Sequence, residues 1–340
     1  MNLPIAGQTD APLMLENIPA LKDEVRELAR QQNAVILAHN YQLPEIQDVA
    51  DYVGDSLGLS QQAARAEADT VVFCGVHFMA ETASILCPEK QVLIPDPDAG
   101  CSLADSITAD QLREWKAKHP GALVIMYVNT SAEVKAETDY CCTSANAVAV
   151  ARHILREHGP DTEILFGPDM FLGAYVEKRL GRSLHVWDGE CHVHAGIRPA
   201  DIAAVRAANP GSDFLIHPEC GCSTSVMEYV AAGDLDPEGI HMLSTGGMLR
   251  YAQERAGGPA GGQPFKAVVA TETGMLYPLR QAAPDAQFVA ANEAAHCRFM
   301  KMITLPKLRD SLRDGVHEIK VPAPVADRAR VAIERMVSIS

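Results

Sequence analysis

The chain has no apolar run long enough to span a bilayer, which takes about 20 residues. From Met1 to Pro19 no basic segment leads into an apolar one, so the expectation is a cytoplasmic protein with neither anchor nor signal peptide. Positive charge is scarce: 29 Lys and Arg face 44 Asp and Glu, for a net charge of −15. That balance argues against nucleic acid and anionic membrane as partners. It leaves small anionic substrates open, because a local site can be positive inside an acidic chain. Asn129-Thr130-Ser131 matches a glycosylation acceptor, but without secretion the match is fortuitous. Nine cysteines in a cytosolic chain point away from disulfides and toward metal or catalysis.

What is present is an ordinary globular composition, 47% apolar and 21% charged, in 340 residues, enough for two or three units. The chain repeats itself. An apolar run ending in a cysteine occurs at Val92 to Cys101, Leu184 to Cys191 and Phe288 to Cys297. The cysteines lie 90 and 106 residues apart, too far for a local metal motif and suited to one per repeat. A second landmark keeps the same step. The strands Ala34–Ala38, Ala122–Met126 and Asp213–Ile216 end at His39, Tyr127 and His217, 88 and 90 residues apart. Each unit reads as three apolar strands alternating with helices, which predicts parallel α/β layers. The expected units are 20–104, 105–194 and 195–322, with a C-terminal amphipathic helix, 323–340, packing back on the first.

In parallel sheets ligands bind off the carboxyl ends of the strands. His39, Tyr41, Tyr127, Asn129, His217, Glu219 and the three cysteines all follow strands. If the units face one another, these residues converge on one cavity. Three thiolates without a fourth suit an iron–sulfur cluster with an open iron, or a catalytic zinc. Sulfur ligands alone, with no histidine in register, favour the cluster. Cys74, Cys87, Cys141 and Cys142 read as core residues, and Cys220-Gly221-Cys222 as a competing metal pair. His39 with Tyr41, and His217 with Glu219, are candidate acid/base groups. Ser56, Ser144 and the Ser244-Thr245 pair precede candidate helices. They read as N-caps and as hydroxyls that hold carboxylates or phosphate at helix N-termini. Gly54-Asp55-Ser56-Leu57 resembles a hydrolase nucleophile block in letters only, because no triad order follows.

Several segments together resemble the quinolinate synthases, the A-type enzymes of de novo NAD biosynthesis. They include His39-Asn40-Tyr41-Gln42, Gly54-Asp55-Ser56, Gly75-Val76-His77-Phe78-Met79-Ala80-Glu81, Ala99-Gly100-Cys101-Ser102 and Tyr127-Val128-Asn129-Thr130-Ser131. Further along come Cys142-Thr143-Ser144-Ala145-Asn146, Trp187-Asp188-Gly189-Glu190-Cys191-His192-Val193-His194, His217-Pro218-Glu219-Cys220, Ser244-Thr245, Ala270-Thr271-Glu272-Thr273-Gly274 and Cys297-Arg298-Phe299-Met300. The resemblance implies three similar three-layer αβα domains about a pseudo-threefold axis, with the active site at the centre. It implies a [4Fe–4S] cluster on Cys101, Cys191 and Cys297 with one open iron. It implies condensation of iminoaspartate with dihydroxyacetone phosphate to quinolinate, with loss of phosphate and water, and coupling to an aspartate-oxidising enzyme. His39, Tyr41, His217 and Glu219 would be catalytic. His39, Ser56, Tyr127, Asn129, Ser144, His217, Glu219, Ser244 and Thr245 would bind substrate. The stretch from Cys220 to Ser244 is longer than in compact relatives, and no Cys-x-x-Cys series surrounds Cys297. Two other readings share the cysteines. A different open-iron dehydratase needs no phosphate grip, and an iron–sulfur scaffold or sensor has no use for acid/base groups on a cavity wall.

Overall fold

Continuous apolar strands form where helices cover both faces of a sheet, and this chain does so three times. The computed structural model describes residues 18–233, 237–257 and 264–339. Nearly all of the N-terminal segment read above, and most of the glycine-rich stretch from 256 to 262, lie outside these residues. The first sheet holds β1 (Ala34–His39), β2 (Tyr52–Gly54), β3 (Thr70–Cys74) and β4 (Gln91–Leu93). The second holds β5 (Leu123–Tyr127), β6 (Tyr140–Cys142), β7 (Ile164–Gly167) and β8 (His185–Val186). The third holds β9 (Asp213–Ile216), β10 (Ile240–Met242), β11 (Lys266–Ala270) and β12 (Gln287–Ala290). Every pairing is parallel, and each sheet runs in the spatial order second, first, third, fourth strand.

The central strands are buried almost throughout: Leu37, Val71, Val124, Leu165, Leu215 and Val268 have no exposed surface. Burying each such side chain stabilises the fold by about 1.5–3 kcal/mol relative to leaving it in water. The sequence predicts three strands per unit, and the structure has four. The additional ones, β2, β6 and β10, are three-residue strands at the sheet edges. Tyr52 is 45% exposed, and all of β10 is half-buried, so neither gives a clear apolar signal.

Helices begin and end where local chemistry directs. The Met170–Leu180 helix starts at Asp169, whose Oδ1 accepts from the Leu172 N–H at 2.6 Å. It stops at Gly181, whose φ of 70° is left-handed and suits glycine. The Ala109–Lys118 helix carries a full Thr108/Gln111 capping box.

The C-terminal helix, Ala323–Ser338, touches the first unit at His77–Leu86. It also packs on the second unit, at Ala132–Lys135 and β6. There Asn146 Nδ2 donates to the carbonyls of Met336 and Ile339. The Leu305–Asp314 helix packs on Ile18–Gln31, and Ile319 N–H donates to the Val92 carbonyl, so the chain closes back on the first unit. Among the described residues no helix is long and apolar enough to cross a membrane.

Candidate active site

The ends of β1, β5 and β9 point into one cavity of about 700 Å³, counting the space at its mouth. Equivalent positions carry His39 and Tyr41, Tyr127 and Asn129, and His217 and Glu219, and all six line it. Two of the turns share a local geometry. Tyr41 N–H donates to His39 Nδ1 at 3.2 Å, and Glu219 N–H donates to His217 Nδ1 at 3.4 Å. In the neutral ring the proton then sits on Nε2. Each histidine is therefore a donor toward the cavity, and the His217 ring meets Ser144 Oγ at 3.1 Å.

Seven of the nine cysteines are free, and only Cys101, Cys191 and Cys297 are part-exposed; all three line the cavity. Cys74, Cys87, Cys141 and Cys142 are buried, as expected of core residues. Burial pushes the Cys101 thiol up, and the neighbouring Cys191 and Cys297 push it further. Backbone amides of Leu103 and Ala104 hydrogen-bond Cys101, and those of Phe299 and Met300 hydrogen-bond Cys297. His194 Nδ1 lies 3.3 Å from Cys191 Sγ. The amide donors offset part of the burial that holds the Cys101 and Cys297 thiols above their ordinary range.

The loops bearing these cysteines are tightly held. A Cβ on Gly189 would lie 2.5 Å from the Pro168 carbonyl oxygen and 2.5 Å from Ser106 Oγ, so the approach to Cys191 requires glycine. Cys297 N–H donates to Glu272 Oε1 at 3.0 Å, and Glu272 also pairs with Lys301.

A buried polar network backs the cavity. His194 Nδ1 lies 3.0 Å from Glu219 Oε2, and its Nε2 lies 2.8 Å from Thr271 Oγ1. Thr271 Oγ1 meets Tyr41 Oη at 2.6 Å. Burial opposes charge on His194, but Cys191 and the Glu219 carboxylate outweigh it and hold the imidazolium well above the usual range. Burial likewise raises Glu219, yet His194 and then His217 bring the net shift down, so the carboxylate stays ionised. With both His194 nitrogens protonated, Nε2–H donates to Thr271. The Thr271 hydroxyl then donates to Tyr41, and Tyr41's own proton is free for the cavity.

Burial, aided by Glu219, raises Tyr41 and Tyr127, so both remain protonated. Burial brings His39 and His217 down to about 3, so both are neutral near neutrality. Glu219 Oε1 and Asn129 Oδ1 are buried with no partner, which marks them as acceptors aimed at a ligand.

The cavity wall has no lysine or arginine side chain among the described residues. Positive potential comes instead from the His194 imidazolium and from helix N-termini. The helices that follow β2, β6 and β10 present Asp55 and Ser56, Thr143 and Ser144, and Thr245 to the cavity. Expected capping roles change in detail. Asp55, not Ser56, caps the first helix through Gly58 N–H, and Asn146, not Ser144, occupies the second N-cap. Ser56 and Ser144 are thereby left facing the cavity. Ser244 does cap its helix, through Gly247 N–H, and it does not line the cavity, whereas Thr245 does. Asn40 Nδ2 donates to Thr245 Oγ1 at 3.0 Å.

Cys220 and Cys222 depart from the disulfide-free expectation: their sulfurs are bonded, so the competing metal pair is not available as thiols. Sequence reasoning gave no role to His194, Thr271, Glu272 or Asp169. His194 had one usable signal, since it sits three residues after Cys191 on the short His192–Ala195 helix. Cys191, His194 and Glu219 also bring one ligand atom each within 4.8 Å of one another.

Fold and cavity together define an α/β protein of three parallel sheets whose strand ends surround a three-cysteine site. Residues 23–338 match the family model described as Quinolinate synthetase A protein, NadA. A quinolinate synthase of Mycobacterium sp. strain KMS is 56% identical over 317 residues, covering 93% of this chain and 91% of that protein. The quinolinate synthase of Mycobacterium leprae strain Br4923 is 52% identical over 343 residues, covering 100% and 94%. That of Mycobacterium tuberculosis strain ATCC 25177 / H37Ra is 54% identical over 317 residues, covering 93% and 88%. The chain belongs to the quinolinate synthetase A family.

Proposed function

We propose that this chain is a cytoplasmic quinolinate synthase of de novo NAD biosynthesis. It condenses iminoaspartate with dihydroxyacetone phosphate and releases quinolinate, inorganic phosphate and two waters. An aspartate-oxidising enzyme supplies the imine. The observation that carries this reading is the convergence of three thiols and three helix N-termini, one of each from every unit, on one cavity. The reactants bring two carboxylates and one phosphate, and three helix starts offer three anion sites.

The donor set fits a [4Fe–4S] cluster: three sulfurs, amide donors on two of them, an imidazolium beside the third, and no fourth thiol on the wall. Cys101, Cys191 and Cys297 would hold it, and when bound it supplies a Lewis-acidic iron with an open position. The remaining work belongs to side chains. Ser56, Ser144 and Thr245 bind the anionic groups at their helix starts. His39 and His217 donate Nε2–H to substrate oxygens. Glu219 and Asn129 accept the imine N–H or a hydroxyl. Tyr41 delivers a proton to a departing oxygen and is recharged through Thr271 from His194. Tyr127, hydrogen-bonded to Glu219, fixes that carboxylate.

A zinc reading rests on the close approach of Cys191, His194 and Glu219. It leaves Cys101 and Cys297 without a task. The test is an anaerobic assay of cluster-loaded protein with enzymatically generated iminoaspartate and dihydroxyacetone phosphate. Quinolinate is the expected product. Its absence with a full complement of iron and sulfide would overturn the proposal.

A further inference from the structure

At the opposite end of the second sheet, three side chains meet that the cavity does not use. His119 follows the Ala109–Lys118 helix, Glu163 precedes β7, and His185 opens β8. His119 Nδ1 lies 2.8 Å from Glu163 Oε1, and His185 Nε2 lies 2.5 Å from the same oxygen. The imidazole rings are 4.1 Å apart between centroids. All three ligand atoms fall within 4.8 Å of one another. The side chains are 23%, 43% and 44% exposed for His119, Glu163 and His185, so an ion can enter from solvent and keep water ligands.

We infer that His119, Glu163 and His185 form a second metal site, for one divalent transition ion of the zinc class. Two imidazoles and one carboxylate are the donor set that zinc, nickel and copper prefer over magnesium or calcium. Zinc bonds of about 2.0–2.1 Å in tetrahedral geometry space the ligand atoms by roughly 3.3 Å. The two imidazole–carboxylate distances therefore need to open by less than an ångström, which part-exposed side chains can do. The ion would join a helix end to two strand starts. It would fasten β8, which pairs with β7 at Leu165↔His185 and Phe166↔Val186 and leads, past the Asp169↔Gly189 bridge, to the Cys191 loop. The site stands independently of what the cavity holds.

The molecule carries its own reporter. Its two tryptophans, Trp115 and Trp187, contact each other at 5.3 Å. Trp115 lies one helical turn before His119, and Trp187 lies two residues after His185. The test uses cluster-loaded protein, whose cavity thiols are occupied, titrated anaerobically with Zn2+ by calorimetry and with Co2+ by absorption and tryptophan fluorescence. One equivalent should bind, with cobalt d–d bands, no sulfur-to-cobalt charge transfer, and quenched fluorescence. The double variant His119→Gln/His185→Gln should lose the binding and the quenching while its iron content and circular dichroism stay unchanged. Glu163→Gln should weaken binding by at least about tenfold, the smallest loss usual even for an outer-shell partner of a metal. Equal binding in wild type and double variant, or no saturable binding by the cluster-loaded wild type, would overturn the assignment.

Discussion

Thr271→Val removes one hydroxyl and leaves the volume of the side chain nearly unchanged. That hydroxyl bonds Tyr41 Oη at 2.6 Å and His194 Nε2 at 2.8 Å, and both partners are buried. Leaving a buried donor without its acceptor costs about 1–3 kcal/mol. The cost falls toward the lower end because Tyr41 Oη already lies 3.3 Å from His194 Nε2 and can accept that proton directly. Tyr41 then holds the His194 proton at poorer geometry, and its recharging from His194 slows. A positioned general acid is worth about 10²–10⁴ in rate, so with a weak direct contact remaining, turnover should drop by about 10²-fold. Thr271 hydrogen-bonds none of Cys101, Cys191 and Cys297, so iron, sulfide and visible absorbance should match wild type. Thr271→Ser, which restores the hydroxyl, should recover most of the rate. The assay is anaerobic quinolinate formation with metal content and urea stability measured on the same samples. Wild-type turnover in Thr271→Val, or loss of rate only in step with loss of iron, would refute the relay.

Tyr41→Phe should keep full absorbance and lose turnover by at least as much as Thr271→Val, since it removes the proton-bearing oxygen itself; a near-normal rate would leave Tyr41 a packing residue. Gly189→Ala should lose iron and sulfide along with activity, because the new Cβ meets the Pro168 carbonyl, backbone that cannot swing aside; a fully loaded variant would show that the Cys191 loop has slack. A fourth prediction concerns pH. His217 is buried and held down to about 3, below the ordinary value near 6.5. As pH falls below about 6.5 the unfolded chain gains this proton and the folded chain does not, so stability falls by about 1.4 kcal/mol per pH unit until pH nears 3. His217→Asn should lose stability less steeply than wild type between pH 6 and 4.5, measured by urea unfolding of loaded protein; parallel slopes would mean that His217 takes up its proton in the folded state.

How far the sequence reaches is set by how far its signals are local. The three cavity cysteines stand out because each ends an apolar run in register with the others, and all three line the cavity. The positions after β1, β5 and β9 are legible for the same reason. The edge strands β2, β6 and β10 are not, because three residues are too few to carry a period, whether buried as in β6 or part-exposed as in β2 and β10. His194 and Thr271 come from different units, and their meeting with Tyr41 depends on how the units pack, which no spacing encodes. Asp55 and Asn146 take the caps assigned to Ser56 and Ser144 because a cap is fixed by one backbone turn, and residues one or two places along the chain compete for it. The disulfide at Cys220 and Cys222 contradicts an inference from compartment, which says what is common and not what two adjacent thiols do in one buried loop.

The most direct measurement is the anaerobic iron, sulfide and zinc content of the purified chain, beside Cys101→Ala, Cys297→Ala and His194→Ala. The account predicts about four iron and four sulfide per wild-type chain, as a [4Fe–4S] cluster requires. Both should be lost in either cysteine variant and retained in His194→Ala. Zinc without sulfide in the cavity, kept in both cysteine variants and lost in His194→Ala, would put the metal on Cys191, His194 and Glu219 instead and contradict it.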